Sequence, residues 1–241
     1  MTGPSLSNDE IWKSRSHVAE WASSAEERER GRERARAFIA ELLPFDAADE
    51  FVFADLGAGT GAAARAVLDA YPRARAVLAD YSSEMMDEGR RALGAYAGRY
   101  EYVVVDLALG EWPEEVSGGL AAIVSSLCVH HVTDGRKQAL FGEVFGRLAP
   151  GGWYVNYDPV SAPDPVAEEA WRRVADARDP VGAARRRSRT TEEHARWENH
   201  VRHIAPLEPQ LAWMRAAGFD AVDAYWKELD HVVFAGRRPP G

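Results

Sequence analysis

Cysteine is almost missing from this chain. Cys128 stands alone among 241 residues, which excludes an internal disulfide framework and a thiolate zinc cluster. Long apolar runs are missing too, and none approaches the length of a membrane-spanning helix. The opening stretch MTGPSLSNDEIWKSR has no apolar core of the kind a secretory signal needs. A cytoplasmic protein is therefore expected. Nor is there an excess of positive charge. The formal net charge is −9, which favours solubility and argues against a broad nucleic-acid surface. No internal repeat or long low-complexity tract interrupts the sequence.

Hydrophobic residues make up 46% of the chain, enough for the core of one large α/β domain. Two charged stretches stand out. EERERGRERAR (26–36) mixes both signs at helical spacing and reads as a solvated helix face. RRRSR (185–189) is purely basic. It reads as a solvated loop or helix end, with a clamp for an anionic substrate as the functional alternative.

Residues 9–43 read as helical, with Trp12, Trp21, Phe38, Ile39, Leu42 and Leu43 as apolar points. EFVFADLG (50–57), ARAVLADYS (74–82), YEYVVVDLA (100–108), LAAIVSSLCVHHV (120–132, with its following loop) and WYVNYDPV (153–160) read as strands. Helical stretches separate them, including GAAARAVLDAY (61–71), stopped by Pro72, and DGRKQALFGEVFGRLAPGG (134–152), stopped by Pro-Gly-Gly. In SEMMDEGRRALGAY, Ser83 is the expected N-cap. Such alternation predicts a doubly wound, mostly parallel sheet with helices on both faces. Residues 161–205 break the alternation and are expected to form a helical lid. A helix at 206–219 and a C-terminal antiparallel hairpin follow, bringing the count to seven strands. The expected organisation is one domain over 1–241. It comprises a helical cap (1–45), a core (50–160), the lid (161–205) and a closing helix and hairpin (206–238).

Ligands on such sheets bind beyond the carboxyl ends of the strands. The stretch DLGAGTG (55–61) lies at one such end and suits a nucleotide-type ligand at a helix N-terminus. GAGTGA (57–62) also fits G-x-G-x-x-A, and Asp80 lies at the distance where an acid accepts ribose hydroxyls. A nicotinamide-dependent oxidoreductase is thus a competitor. Asp55 opposes it, because a carboxylate before the glycines would repel a pyrophosphate. Asp55, Asp80 and Asp106 follow three successive strands, and such an acidic crevice favours a cationic, hydroxyl-rich nucleoside.

In order and spacing, DLGAGTG, LADYS, VVVDL, IVSSLCVHHV and RLAPGGWYVNYD resemble the motifs of class I S-adenosylmethionine-dependent methyltransferases. The likeness covers about residues 50–160 strongly and 206–238 fairly well. The C-terminal tail looks like the bacterial small-molecule branch, with its natural-product acceptors, and faintly like carboxy-S-adenosylmethionine synthases. The resemblance implies a Rossmann-like fold and S-adenosylmethionine as cofactor. It implies that Gly57, Gly59 and Gly61 approach the methionine part, Asp55 holds its ammonium group and Asp80 accepts both ribose hydroxyls. Tyr81 and Met85 would pack on the adenine. Asp106 would take its amino group, Leu107 would give a backbone contact and Ser125 would line the pocket. Many members fold an N-terminal helix over the cofactor, and Trp21 stands in that place here.

Methyl transfer is an in-line displacement, and a general base helps only if the nucleophile must lose a proton. His131, after the fourth strand, is the first candidate. His130 is set aside because successive side chains at a strand end point apart. Asp158 and Tyr157 end the fifth strand and are candidates for base and substrate contact. In HARWENHVRHIAP (194–206), Trp197, Val201 and Ile204 form an apolar stripe flanked by His194 and His200, with His203 further round. His200 is a catalytic candidate, and Trp197 and His203 are substrate contacts. Trp153, Tyr154, Trp171, Trp213 and Met214 are further candidates for an apolar pocket. The pairs His200/His203 and His194/Glu198 offer two metal ligands each, but no third is evident and no metal is assigned. The expected partner is a small molecule whose accepting atom is oxygen, nitrogen or carbon. Monomer and homodimer both stay open. A carboxy-S-adenosylmethionine synthase, which needs a cation beside the methyl group, and a non-catalytic cofactor-binding protein remain alternatives.

Overall fold

The computed structural model describes residues 25–241. Trp12, Arg15, His17 and Trp21, including the expected cover over the cofactor, lie outside the described residues. The first described element is helix α1, Ala25–Glu41. Strand β1, Val52–Leu56, leads through the glycine loop into α2, Ala62–Ala70. Then come β2, Arg75–Asp80, α3, Ser83–Ala92, and β3, Tyr100–Val104. Strand β4, Leu120–Ser126, is followed by a short 3-10 turn, Val129–His131, and by α4, Asp134–Arg147. Strand β5, Leu148–Pro159, precedes α5, Pro165–Arg178, α6, Pro180–Arg187, and α7, Thr191–Val201. Helix α8, Leu207–Ala216, and the hairpin β6, Asp220–Glu228, and β7, His231–Arg237, close the chain.

The seven strands form one sheet in the order β3-β2-β1-β4-β5-β7-β6. Neighbours from β3 to β5 pair in parallel, and β7 runs antiparallel to both β5 and β6. The predicted fold class, with its closing hairpin, is the one observed. A dinucleotide-binding sheet keeps the order 3-2-1-4-5-6, so the reversed β7 between β5 and β6 sets this sheet apart.

Strands buried on both faces read as continuous apolar runs. Along β1, Phe53 faces the layer of Ile39 and Val67, while Ala54 and Leu56 face the layer of Ile123, Phe141 and Met214. Along β5, Tyr154 joins the second layer and Val155 and Tyr157 the first.

Two boundaries differ from expectation. Ser82, not Ser83, caps α3: its backbone is extended and its hydroxyl accepts from the Met85 amide at 3.2 Å. Strand β5 starts at Leu148, because a register shift between Leu120 and Ala122 absorbs the Pro-Gly-Gly turn as a bulge.

No helix among the described residues is long and apolar enough to cross a membrane.

Candidate functional site

The strand ends open into a cavity of about 690 Å³. One end is lined by the glycine loop, Asp80, Tyr81, Met85, Asp106 and Leu107. The other is lined by His130 and His131, by Trp197, His200 and His203, and by Asp230 and His231. Arg32 and Arg36 of α1 form part of the wall.

Asp55 is almost fully buried at the end of β1. One carboxylate oxygen accepts from the Ala64 amide at 3.0 Å, in the first turn of α2, where helix amides lack partners. The other oxygen, Oδ1, is buried with no hydrogen-bond partner among the described residues. Desolvation pushes the Asp55 pKa up to about 7, against the opposing pull of the Ala64 amide and the Arg36 charge. Asp80 is bonded at both oxygens, accepting from the Gly59 amide at 2.7 Å and the Ser82 amide at 2.9 Å. Its pKa is also raised by burial, with these amides pulling the other way.

The loop needs its glycines. Gly57 has φ +64°, and a Cβ there would lie 1.9 Å from the Cys128 sulfur. At Gly59, with φ +54°, a Cβ would lie 2.9 Å from the Met85 methyl. The Tyr102 hydroxyl donates to the Gly59 carbonyl at 2.9 Å. Asp106 is partly exposed and accepts from the Ala108 amide at 2.9 Å. The Leu107 carbonyl is taken by the Arg136 guanidinium.

At the far end the structure corrects the sequence reading. His130, set aside as pointing away, lines the cavity together with His131. The alternation argument fails because both residues belong to the 3-10 turn rather than to a strand. Their ring centroids are 3.9 Å apart. His130 Nδ1 lies 2.7 Å from Asp158 Oδ1, while the His130 amide donates to Asp158 Oδ2 at 3.0 Å. Asn156 donates to the same Oδ2 at 3.2 Å. His130 Nε2 is buried with no hydrogen-bond partner among the described residues.

Asp158 itself, expected as a base, does not line the cavity and holds His130 instead. His131 is kept neutral: burial first, then the neighbouring His130, His200 and His203, push its pKa down to about 2. Desolvation, then His130 and Arg32, lowers His200 to about 4. Helix α7 ends at Val201, so His203 and Ile204 sit beyond the helix and the predicted stripe is shorter.

Other expectations fall away. Ser125 is fully buried, does not line the cavity and donates to the Leu56 carbonyl at 2.8 Å, bridging two strands. Ser126 and Leu127 line the cavity in its place. Tyr157 points to the opposite sheet face, among the residues that pack on α1 and α2, and is not a wall residue. Of Trp153, Tyr154, Trp171, Trp197, Trp213 and Met214, only Trp197 lines the cavity. The basic run ends α6, where Arg186 and Arg187 reach Asp176 of α5 at 2.7 and 3.4 Å. Neither faces the cavity.

The stretch read as a solvated helix face supplies Arg32 and a nearly buried Arg36, whose Nε donates to the Ser126 hydroxyl at 3.2 Å. A signal was present. The apolar stripe Leu43, Ile39, Ala35 continues at helical spacing into Arg36 and Arg32.

Comparison with known proteins agrees with this fold. Residues 53–152 match the family model of a methyltransferase domain. No curated protein matches the chain in sequence. Solved structures with the same fold include PigF with SAH, at 17% identity and TM-score 0.66 over 98% of this chain. An O-methyltransferase family protein from Burkholderia thailandensis aligns at 18% and 0.65 over 97%, and human N-acetylserotonin methyltransferase in complex with SAM at 14% and 0.63 over 95%. The chain spans 63%, 68% and 58% of the lengths of those three proteins.

Residues 53–152 thus carry a methyltransferase domain, in the fold of solved methyltransferases, and the cofactor of that fold is S-adenosylmethionine. The residues present fit that cofactor: Asp55 aims an unpaired buried oxygen, suited to an ammonium group, beside a glycine cradle that any Cβ would fill.

Proposed function

We propose that this protein methylates a hydroxyl group on a small molecule, with His130 as general base. The observation that carries the reading is the His130–Asp158 pair. Nδ1 is tied to a buried carboxylate, Nε2 is buried without a partner among the described residues, and the residue lines the cavity. A neutral imidazole so held has its hydrogen on Nδ1 and its lone pair on Nε2.

When bound, the cofactor supplies an activated methyl group on a sulfonium. Asp55 would hold its ammonium group and Arg36, electrostatically coupled to Asp55, its carboxylate. Asp80 would take the ribose hydroxyls, Tyr81 and Met85 the adenine ring, and Asp106 and Leu107 the adenine edge. The acceptor would lie between the glycine loop and the histidines, with Trp197 and His203 on its outer side. His130 Nε2 removes the hydroxyl proton as oxygen attacks, and Asp158 stabilises the resulting imidazolium. A neutral amine needs no proton removed before attack, so a positioned base favours oxygen. Three arginines line the cavity beside four aspartates, and the formal net charge of the chain is −9, which supports a small molecule over a nucleic acid.

The test is single-turnover transfer to a panel of phenolic and enolic acceptors. In His130→Ala the rate is expected to fall by about 10²–10⁴-fold, with S-adenosylhomocysteine affinity unchanged. Transfer at the wild-type rate would remove His130 from the role.

A further inference from the structure

Three imidazoles converge at the acceptor end of the cavity. His130 and His131 come from the 3-10 turn after β4, and His200 comes from α7. One ring nitrogen of each lies within 4.8 Å of the other two. Ring centroids are 5.5 Å apart for His130 and His200, and 5.0 Å for His131 and His200. His130 adds an independent observation. It is nine-tenths or more buried, its Nε2 is unpartnered among the described residues, and its Nδ1 is held by Asp158. A histidine whose other nitrogen is held by a carboxylate is the arrangement that orients imidazole ligands toward a metal.

We propose that His130, His131 and His200 bind one divalent transition-metal ion, leaving a coordination position open to the cavity. An all-imidazole donor set suits zinc, cobalt, nickel or copper, and it does not suit magnesium or calcium, which take oxygen ligands. Three protein nitrogens with a fourth position free is the ligand count of catalytic rather than structural zinc sites. At zinc–nitrogen distances of about 2.0–2.1 Å, tetrahedral ligand nitrogens sit about 3.4 Å apart. His200 is the most exposed of the three, and rotation of its side chain would close the remaining gap. His203, which the sequence offers beside His200 with no third ligand evident, is not part of the set, and His194 faces Glu198 on the surface.

The site goes beyond the proposed reaction. An ion and an acceptor proton compete for the same Nε2 lone pair of His130, so a loaded site suppresses the proton transfer assigned above.

The experiment is a titration of chelator-treated full-length protein with cobalt(II), read by visible ligand-field absorption, and with zinc(II), read by calorimetry. One equivalent is expected to bind. His200→Ala should weaken binding by at least tenfold and change the absorption. Asp158→Asn should weaken it by about 10–100-fold. His194→Ala, an exposed histidine on the same helix, should leave it unchanged. Uptake below about a tenth of an equivalent, or uptake that His200→Ala leaves intact, overturns the site. His200→Ala alters only a rim residue, so folding does not confound the result. A separate arm keeps this site and the proposed base apart: zinc should slow single-turnover transfer and a chelator should restore it. If the ion binds through His200 and transfer is unaffected, the metal site stands and the base assignment falls. If no ion binds and His130→Ala still abolishes transfer, the reverse holds.

Discussion

Replacing Asp55 by asparagine should make the ligand-free protein more stable and its cofactor binding worse. Burial raises the Asp55 pKa from 3.8 to about 7. That rise corresponds to about 4 kcal/mol of preference for the protonated form in the folded state. The sign follows from proton binding. Between those two values the folded state binds a proton more readily than the unfolded chain. The stability this contributes is complete below about pH 4 and lost as pH rises through 7. At pH 8 the ionised carboxylate therefore carries the full cost.

Asparagine removes the charge and still accepts from the Ala64 amide, but leaves an amide NH2 where Oδ1 now has no partner. An unsatisfied buried donor costs about 1–3 kcal/mol, so the net gain at pH 8 is about 1–3 kcal/mol. For a chain of this size that raises Tm by about 2–10 °C. By pH 5 the charge cost has mostly gone and the gain should vanish. In the same variant, affinity for S-adenosylhomocysteine should fall by about 10–150-fold, the range for a lost hydrogen bond to a charged group. Thermal unfolding at both pH values and calorimetric titration read the two halves. An unchanged or lower Tm at pH 8 would refute the electrostatic argument, and unchanged affinity would refute the role in ammonium binding.

Other substitutions probe the frame around the site. Gly89→Ala should destabilise by about 1–3 kcal/mol despite better helix propensity, because the new Cβ would lie 1.9 Å from the Tyr102 hydroxyl that holds the Gly59 carbonyl. A rise in Tm would contradict this. Lys137 is fully buried, with its amine bonded to Asp134 at 3.0 Å and to the His203 carbonyl. Lys137→Met strands that carbonyl, so denaturant unfolding should show a loss of about 1–3 kcal/mol, and amides of 197–205 should exchange faster. Asp80→Ala frees the Gly59 and Ser82 amides. It should weaken S-adenosylhomocysteine binding by about 1.5–3 kcal/mol, and an unchanged titration would dismiss its role.

The sheet was legible because its strands are apolar runs bounded by turn residues, a pattern that survives without tertiary context. The glycine loop was legible for the same local reason, and its acids fall where strand ends must lie. The acceptor end was not, because its geometry is decided by how three residues turn. Reading VHH as strand end separated His130 from His131, whereas a 3-10 turn puts both on the cavity wall. Asp158 and Tyr157 show the complementary error: adjacent on β5, they face opposite layers and neither reaches the cavity. Arg36 was hidden by its charged neighbours, since composition outweighed the helical phase of one residue.

The two ends of the cavity are drawn from different lengths of chain. Everything from Asp55 to Leu107 that meets the cofactor end precedes β4, while Trp197, His200 and His203 arrive on a separate excursion between β5 and β6. That excursion carries none of the five parallel strands. Exchanging it for the corresponding stretch of another enzyme with this sheet order would change which acceptors are admitted, with the methyl-donor end left in place. On the proposed reading the cofactor end is a fixed socket behind an interchangeable front, and recombination there is the place to seek new acceptor preferences.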